Sequence, residues 1–262
     1  MSGYFQNDSM PVYYTITDHG IEIRLNRPGK KNAMDRSMSE HFPRLLEEVA
    51  ILPQSVVFLC GTGGVFSAGG DLGFLLDRLD KGFEENRTTM MLYYTAFLGI
   101  RELPQITVAC LEDSAIGAAL CMALACDFRL VASDCRLALN FVRLGISPGM
   151  GAVPLASSVL GPSMARKLLL SGNRVSVADF VAAGGAQWIG NKTMEEYKAE
   201  FYAQFLGIGP LALAKLKQEL CRVGPGTEEL YKCLELEAQS QAHCFRDPWF
   251  RKKIESIQKG KE

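Results

Sequence analysis

Two short glycine-containing turns constrain the fold of this chain most. Residues 66–72 (FSAGGDL) follow the apolar segment 55–60, and residues 115–119 (AIGAA) follow the apolar segment 106–111. Each turn leads into a helix-like run, so each is predicted to join a strand to a helix. The first N–H groups of a helix have no partner within it, and they can donate to a substrate oxygen that gains negative charge. The two turns together therefore predict an oxyanion-binding site.

Six segments, the two turns included, resemble the enoyl-CoA hydratase/isomerase (crotonase) superfamily, in that family's order and at its spacing. The first turn resembles the FSAGADL motif and the second resembles the NGxAxGGG motif. The other four segments are NRP at 26–28, KNAM at 31–34, CDF at 126–128 and LGISPG at 144–149. The resemblance covers about residues 12 to 190. It implies an α/β, crotonase-like fold of repeated ββα units with a helical C-terminal region.

The apolar pattern along the chain agrees with a layered α/β architecture. Strand-like and helix-like segments alternate through about residue 150. Beyond Pro162 the pattern is helical, and the charged segment 80–87 is predicted to be a mobile loop, whereas 227–258 is predicted to be one helix. No linker divides the chain, so 1–262 is predicted to be a single domain, with a ββα core to about 190 and helices from about 191 to 262. The resemblance implies that these helices build a homotrimer or hexamer.

Charge and hydropathy exclude several kinds of partner. The chain has 28 Lys and Arg against 29 Asp and Glu, and no basic run is interleaved with aromatic residues, so nucleic acid is not expected as a partner. The longest apolar stretch, residues 115–126, is shorter than the roughly 20 residues that cross a bilayer, so no membrane segment is expected. The first residues show no secretory or transit signal, which predicts a cytoplasmic protein.

The cysteines and histidines do not suggest a metal centre. None of the eight cysteines forms a C-x-x-C pair, and the three histidines are not spaced for zinc. The cysteines are predicted to be mostly buried free thiols in a reducing compartment. We therefore expect no metal, and no cofactor other than coenzyme A as part of the substrate.

The resemblance assigns roles to small residues in the two turns. It implies that the backbone N–H groups of Gly70 and Ala118 polarise the carbonyl of an acyl-CoA or related acyl thioester. Small residues suit these positions because they let the backbone approach the substrate closely. The residues that it places around coenzyme A are Lys31, Asn32, Ala33, Ala68 and Gly70.

The two positions at which hydratases of this superfamily carry glutamate hold Cys121 and Phe141. Hydration needs one group that delivers the oxygen of water and another that handles the α-proton. Phenylalanine can do neither, and a cysteine in an apolar helix is more typical of a protein core. If the chemistry is retained, another acid must act, and the sequence offers five candidates: Asp77, Glu84, Glu85, Tyr93 and Tyr94.

A rival enzyme class can be set aside, and three hypotheses on function then remain. Residues 145–149 match the G-x-S-x-G motif of serine hydrolases, but the residue after the serine is Pro148, which has no N–H for an oxyanion. The protein could be a lyase or isomerase whose acid/base residue lies elsewhere, a decarboxylase-like enzyme, or an inactive CoA-binding scaffold. Residues 140–141 with 148–151 resemble the decarboxylating branch found in polyketide pathways.

Overall fold

The computed structural model describes residues 5–223 and 226–260. Its strands are β1 (Val12–Thr17), β2 (Gly20–Leu25), β3 (Val56–Gly61), β4 (Ile106–Leu111), β5 (Ser114–Ile116), β6 (Phe128–Val131), β7 (Arg136–Ala138), β8 (Arg174–Val175) and β9 (Gln187–Trp188). Its α-helices are α1 (Arg36–Ala50), α2 (Leu72–Leu76), α3 (Phe83–Leu98), α4 (Ala118–Ala125), α5 (Phe141–Leu144), α6 (Ala152–Ser171), α7 (Val177–Ala182), α8 (Met194–Ala203), α9 (Pro210–Val223), α10 (Thr227–Cys244) and α11 (Pro248–Gln258).

The larger sheet has the strand order β1-β2-β3-β4-β6-β9, and every neighbouring pair is parallel except β1 with β2. The central strands are fully buried because both faces of the sheet are covered. Along β3, Val57 and Leu59 pack into the main core, whereas Val56 and Phe58 pack with Phe201 of α8 on the opposite face. This confirms the predicted α/β class.

The smaller sheet carries the second glycine turn. Its strand order is β5-β7-β8, with β5 parallel to β7 and β7 antiparallel to β8. Single bridges also pair Met34 with Gly70 and Ser67 with Ala115. The two turns therefore lie beside each other, although 48 residues separate Ser67 from Ala115 in the chain (115 − 67).

Buried ion pairs attach the C-terminal helices to the sheet. Lys198 of α8, with 1% of its side chain exposed, pairs with Glu22 of β2. Lys217 of α9 lies 2.7 Å from the carboxylate of Asp127, just before β6. α10 then packs along α3. In the part of the chain that the structure describes, no helix is both long and apolar enough to cross a membrane.

Two predictions about helix boundaries were wrong. The predicted single helix over 227–258 is broken into α10 and α11, because Asp247 caps a new helix and Pro248 occupies its first turn. The predicted charged loop 80–87 is helical from Phe83 onward. Acidic residues in the first turn of α3 favour this start, since the N-terminus of a helix attracts negative charge.

Candidate active site

The first glycine turn is held by side chains on both sides of it. The hydroxyl of Ser67 donates to the carbonyl oxygen of Asn32 at 2.7 Å and accepts from the N–H of Gly69 at 3.1 Å. One carboxylate oxygen of Asp71 caps α2, and the other accepts from Arg27 at 2.9 Å. Burial acts to raise the pKa of Asp71, but hydrogen bonds from Arg27 and from the backbone outweigh it and lower that pKa. The carboxylate is therefore charged at neutral pH and fixes the turn.

The second turn leads directly from β5 into α4. Gly117 has a positive φ of 55°, which favours glycine, and its N–H donates to the carbonyl oxygen of Ala138 at 2.8 Å. Ala118 is the first residue of α4, so its N–H has no acceptor inside the helix.

A cavity of about 70 Å³, which we call the inter-turn cavity, lies between the two turns. It is lined by Ala68, Gly70, Phe74, Leu75, Met90, Tyr93, Tyr94, Ile116, Gly117, Ala118, Asn140, Phe141, Leu144, Ile146, Met150 and Gln241. Among the residues that the structure describes, this lining contains no Asp, Glu, His, Lys or Arg. The cavity is thus mainly apolar, with a few polar groups that could orient a ligand.

Gly70 and Ala118 contribute to the same cavity wall. Over residues 5–223 and 226–260, neither backbone N–H donates to a protein acceptor. The wall of this cavity therefore includes two residues from separate turns whose N–H groups have no protein acceptor among the described residues.

The two glutamate-equivalent positions lie in different surroundings. Phe141 is buried and lines the inter-turn cavity. Cys121 is fully buried outside the cavity lining, and its sulfur lies 3.6 Å from the carbonyl oxygen of Gly149. Burial raises the pKa of the Cys121 thiol well above its ordinary value, so the thiol is uncharged at neutral pH.

The residues predicted to contact coenzyme A form two adjacent backbone segments. The N–H of Ala68 donates to the carbonyl oxygen of Lys31 at 2.9 Å. The Asn32 side chain is buried and donates to two backbone carbonyls, so it braces this loop. The carbonyl oxygen of Ala33 accepts from Arg27 at 2.6 Å. The structure thus brings 31–33 beside 68–70, and the side chain of Lys31 is exposed.

Of the five candidate acids, three are exposed on the surface and two line the inter-turn cavity. Asp77 is exposed and lines a separate surface cleft. Glu84 and Glu85 are exposed and form ion pairs on the surface of α3. Tyr93 and Tyr94 line the inter-turn cavity. Burial raises the pKa of both tyrosines well above the ordinary value, so each hydroxyl keeps its proton.

Sequence reasoning missed two residues of α10 that lie near the site. Gln241 lines the cavity, and its amide nitrogen donates to the carbonyl oxygen of Ser147 at 2.7 Å. Glu237, one turn earlier, accepts from the N–H groups of Gly151 at 2.7 Å and Val153 at 3.1 Å. Burial raises the pKa of Glu237 to about 7 despite these hydrogen bonds. No motif marks either residue in the sequence.

Comparisons with known proteins agree with this architecture. The family model for enoyl-CoA hydratase/isomerase matches residues 17–261. A Mycobacterium tuberculosis protein named as probable enoyl-CoA hydratase EchA14 is 27% identical over 260 residues, covering 95% of this chain and 97% of the relative. The crystal structure of enoyl-CoA hydratase from Bacillus halodurans superposes with a TM-score of 0.84 at 26% identity, covering 94% of this chain and 99% of that one.

A further solved structure carries a ligand. The Thermobifida fusca protein in complex with acetoacetyl-CoA has a TM-score of 0.73 at 23% identity, and the match covers 88% of this chain and 94% of that one. At this identity the likeness shows the shared fold. The family model, in contrast, matches nearly the whole chain, and the predicted resemblance is confirmed. This chain therefore belongs to the enoyl-CoA hydratase/isomerase family.

Proposed function

We propose that this protein binds an acyl-CoA thioester and stabilises the thioester enolate between the N–H groups of Gly70 and Ala118. The observation that carries the proposal is that both N–H groups lack a protein acceptor in the described residues and belong to the wall of one cavity. The thioester oxygen carries more negative charge in the enolate than in the substrate, so these donors favour the enolate. The acetoacetyl-CoA complex of the Thermobifida fusca protein supports a ligand of this class.

The nucleotide part of coenzyme A is assigned to the segments 31–33 and 68–70. Lys30 and Lys31 are exposed beside these segments and are available to phosphates. Coenzyme A is then part of the substrate, and the acyl group enters the inter-turn cavity.

The reaction we propose is that of a lyase or isomerase whose acid is not one of the family glutamates. In the described lining of the cavity the titratable side chains are Tyr93 and Tyr94. The Tyr93 hydroxyl already donates to the carbonyl oxygen of Met34 at 2.9 Å. Tyr94, whose hydroxyl has no partner among the described residues, is therefore the candidate proton donor.

A second candidate reaction, decarboxylation, is favoured by the absence of carboxylates and cations from the described lining. In this reaction the breaking C–C bond leaves its electron pair on the α-carbon as carbon dioxide departs, and the resulting enolate then takes a proton. No base is needed, because carbon dioxide leaves in place of a proton. A substrate carboxylate in an apolar cavity also loses solvation, which favours its departure.

Binding is tested by thermal unfolding with crotonyl-CoA and with free crotonate. A thioester at about 100 times its dissociation constant should add roughly 2.7 kcal/mol to the free energy of unfolding, whereas crotonate should add little. Ala118→Pro removes one N–H at a helix position that tolerates proline, and Ala118→Gly keeps that N–H. We expect the proline variant alone to lose ligand stabilisation. Melts unchanged by any acyl-CoA, or equal ligand effects in both variants, would contradict the proposal.

The reaction is tested by incubating the protein with malonyl-CoA and with enoyl-CoA substrates and measuring products by mass spectrometry. Loss of carbon dioxide from malonyl-CoA that disappears in Ala118→Pro would support the decarboxylase. Double-bond migration or hydration that depends on Ala118 in the same way would support the lyase or isomerase. Tight acyl-CoA binding without any conversion would instead favour the inactive scaffold.

A further inference from the structure

Arg78 is a buried cation whose charge is not matched by a neighbouring group. The residue is 7% exposed, and no side chain or carbonyl within residues 5–223 and 226–260 accepts a hydrogen bond from its guanidinium. Other buried cations have such partners, since Lys198 and Lys217 pair with carboxylates and Arg129 donates to backbone carbonyl oxygens. A buried charge without a counter-charge is costly, so the position of Arg78 indicates an anion that completes it.

Arg78 lies at an open cleft of about 1410 Å³ between α1, the α2 segment, α3 and α11, which we call the Arg78 cleft. Among the unpaired nitrogens of the described residues, the Nε atom of Arg78 is fully enclosed, whereas its two Nη atoms are not. Because Arg78 is part of the cleft lining, the Nη groups are the donors left for a group bound there.

The charged neighbours of Arg78 do not neutralise it. Asp77 and Glu85 act on its charge from a distance, but neither forms an ion pair with it, and Glu85 is already paired with Lys81 at 3.0 Å. Arg36 adds a like charge. Burial lowers the pKa of the Arg78 guanidinium, although an arginine still keeps its proton at neutral pH.

The guanidinium is held in place by contacts on both sides of the cleft. The buried side chain of Asn86 donates to the carbonyl oxygen of Arg78 at 3.0 Å, and the guanidinium carbon lies 5.3 Å from the centre of the Phe74 ring. Across the cleft, Arg251 of α11 donates to the carbonyl oxygen of Leu79 at 3.2 Å. The donor groups are therefore positioned before any ligand binds.

Two stacked rings separate this cleft from the inter-turn cavity. Phe74 and Tyr93 lie 4.8 Å apart at an interplanar angle of 16°, and both residues line the cleft on one side and the cavity on the other. The Arg78 cleft also has apolar lining from Leu76, Leu79 and Leu92. It can therefore take an apolar chain beside the guanidinium without using the inter-turn cavity.

The charge of the lining selects among anions. The described lining of the cleft holds five basic and five acidic side chains, so its formal net charge is zero and a ligand with several negative charges gains little there. A single carboxylate matches the one unpaired guanidinium and can accept two parallel hydrogen bonds from it.

We propose that the Arg78 cleft binds a free monocarboxylate with an apolar chain, whose carboxylate pairs with Arg78 while the chain packs on the leucines of the cleft. This site is separate from the proposed acyl-CoA site and does not depend on it. Affinity should rise with chain length, because longer chains bury more apolar surface. A four-carbon acid such as crotonate should therefore bind only weakly.

The test is isothermal titration of the parent protein with octanoate, with 1-octanol and with inorganic phosphate. We expect octanoate to bind at least roughly 10-fold tighter than the uncharged alcohol, since a hydrogen-bonded charge pair adds that much to affinity. Octanoate should bind equally well when crotonyl-CoA is present, because the two sites are separate.

Two variants of Arg78 and one matched control assign the effect. Arg78→Met should bind octanoate no better than octanol, yet it should be at least as stable as the parent without ligand, because an unmatched buried charge is removed. Arg78→Lys keeps the charge without the paired donors and should weaken octanoate several-fold. Arg36→Met removes a cation of the same cleft that is already paired with Glu40, and it should keep most of the octanoate affinity.

Four results would overturn the inference. Equal affinity of the parent for octanoate and octanol would do so, as would octanoate binding that survives in Arg78→Met. Phosphate that binds tighter than octanoate would replace the carboxylate as the ligand class. Octanoate that crotonyl-CoA displaces would belong to the acyl site, and this outcome leaves the acyl-CoA proposal intact.

Discussion

The position of a Cβ atom on Gly69 falls 2.3 Å from the carbonyl oxygen of Ile116. Gly69 also has a φ of 95°, a conformation that residues with a side chain rarely adopt. The two glycine turns thus contact each other directly through backbone atoms, which cannot rotate away as a side chain could. The distance between the two proposed oxyanion donors depends on this contact.

Gly69→Ala should therefore lower the free energy of unfolding more than the matched variant Gly64→Ala does. Gly64 has a φ of 71°, but no atom lies within 4 Å of its Cβ position. We expect Gly64→Ala to cost about 1 kcal/mol from backbone strain, and Gly69→Ala to cost more because a backbone clash is added. Urea denaturation of both variants measures the difference. Equal stabilities would show that the contact between the turns is not rigid.

Removal of the hydroxyl groups of Tyr93 and Tyr94 should have opposite consequences for stability. Tyr93→Phe leaves the Met34 carbonyl with one hydrogen bond fewer, and we expect a loss of about 1 kcal/mol. Tyr94→Phe deletes a buried hydroxyl that lacks a protein partner, so the ligand-free protein should be as stable as the parent or more stable. Chemical denaturation without ligand distinguishes these outcomes. A strongly destabilised Tyr94→Phe would reveal a partner for that hydroxyl.

Glu237 should make the protein less stable as the pH rises. Its pKa is about 7 in the folded state against 4.5 ordinarily, so the unfolded chain loses this proton at lower pH than the folded protein. The stabilising contribution of protonated Glu237 to the free energy of unfolding is complete below about pH 4.5. It is lost as the pH rises to about 7 and above. Between pH 5 and pH 8 we expect Glu237 to reduce the free energy of unfolding by roughly 2–3 kcal/mol.

Glu237→Gln should remove this pH dependence, because the amide has no proton to lose in that range. Glu228, exposed at the start of the same helix, offers the matched control, and Glu228→Gln should behave as the parent does. Urea unfolding at pH 5 and pH 8 measures all three proteins. An identical pH dependence in Glu237→Gln and in the parent would mean that Glu237 ionises normally.

The unmodified protein should hydrate crotonyl-CoA poorly. Phe141 lines the cavity and the Cys121 thiol is uncharged, so both glutamate-equivalent positions lack a group that transfers protons readily. Each general acid or base typically contributes about 10²- to 10⁴-fold to the rate. The rate at which the enoyl absorbance is lost measures hydration. It is compared with the rate of a hydratase that has both glutamates. Comparable rates would show that another residue activates water.

The double variant Cys121→Glu with Phe141→Glu should hydrate faster than the parent if it folds and still binds acyl-CoA. Both positions are buried, so a thermal melt with ligand must accompany the assay. A folded, ligand-binding double variant with no gain in rate would show that the cavity is no longer shaped for hydration.

The protein is predicted to be a trimer or hexamer. Leu216 and Leu220, one turn apart on α9, are exposed in the single chain at 52% and 61%, which leaves an apolar strip for a neighbouring subunit, and Leu211 at the start of the helix is exposed at 72%. Light scattering at micromolar concentration should give a trimeric or hexameric mass, and Leu216→Glu with Leu220→Glu should lower it. Ile51→Glu, at an exposed apolar position outside α9, should not change the mass. A monomeric parent would refute the prediction.

The part of the site that could be predicted from sequence is encoded locally. The two turns combine glycine, helix starts and preceding apolar strands within a few residues, so short-range patterns predict both strand-to-helix turns, and the resemblance of these motifs implies the roles of Gly70 and Ala118. The same holds for the buried central strands β3 and β4. Their continuous apolar runs indicate strands covered on both faces.

The other features of the site and the fold depend on contacts between segments that are distant in the sequence. Tyr94 meets Gly149 and Gln241 through tertiary packing of α3 against α10, and the sequence near each residue carries no sign of the others. β5 has three residues, too few for a periodic pattern to show. The break between α10 and α11 was missed because the apolar spacing continues across it, although Pro248 offered a local signal.

The position of α10 after all the other elements of the site sets the order in which the site can assemble. Both turns and α3 are synthesised well before Glu237 and Gln241, since the second turn ends at Ala119, 118 positions before Glu237 (237 − 119). Until then, the side of the inter-turn cavity that Gln241 lines is missing, and the N–H groups of Gly151 and Val153 lack their carboxylate acceptor. The apolar residues that line the cavity therefore remain exposed on that side until α10 packs. Completion of the site is then a late step of folding.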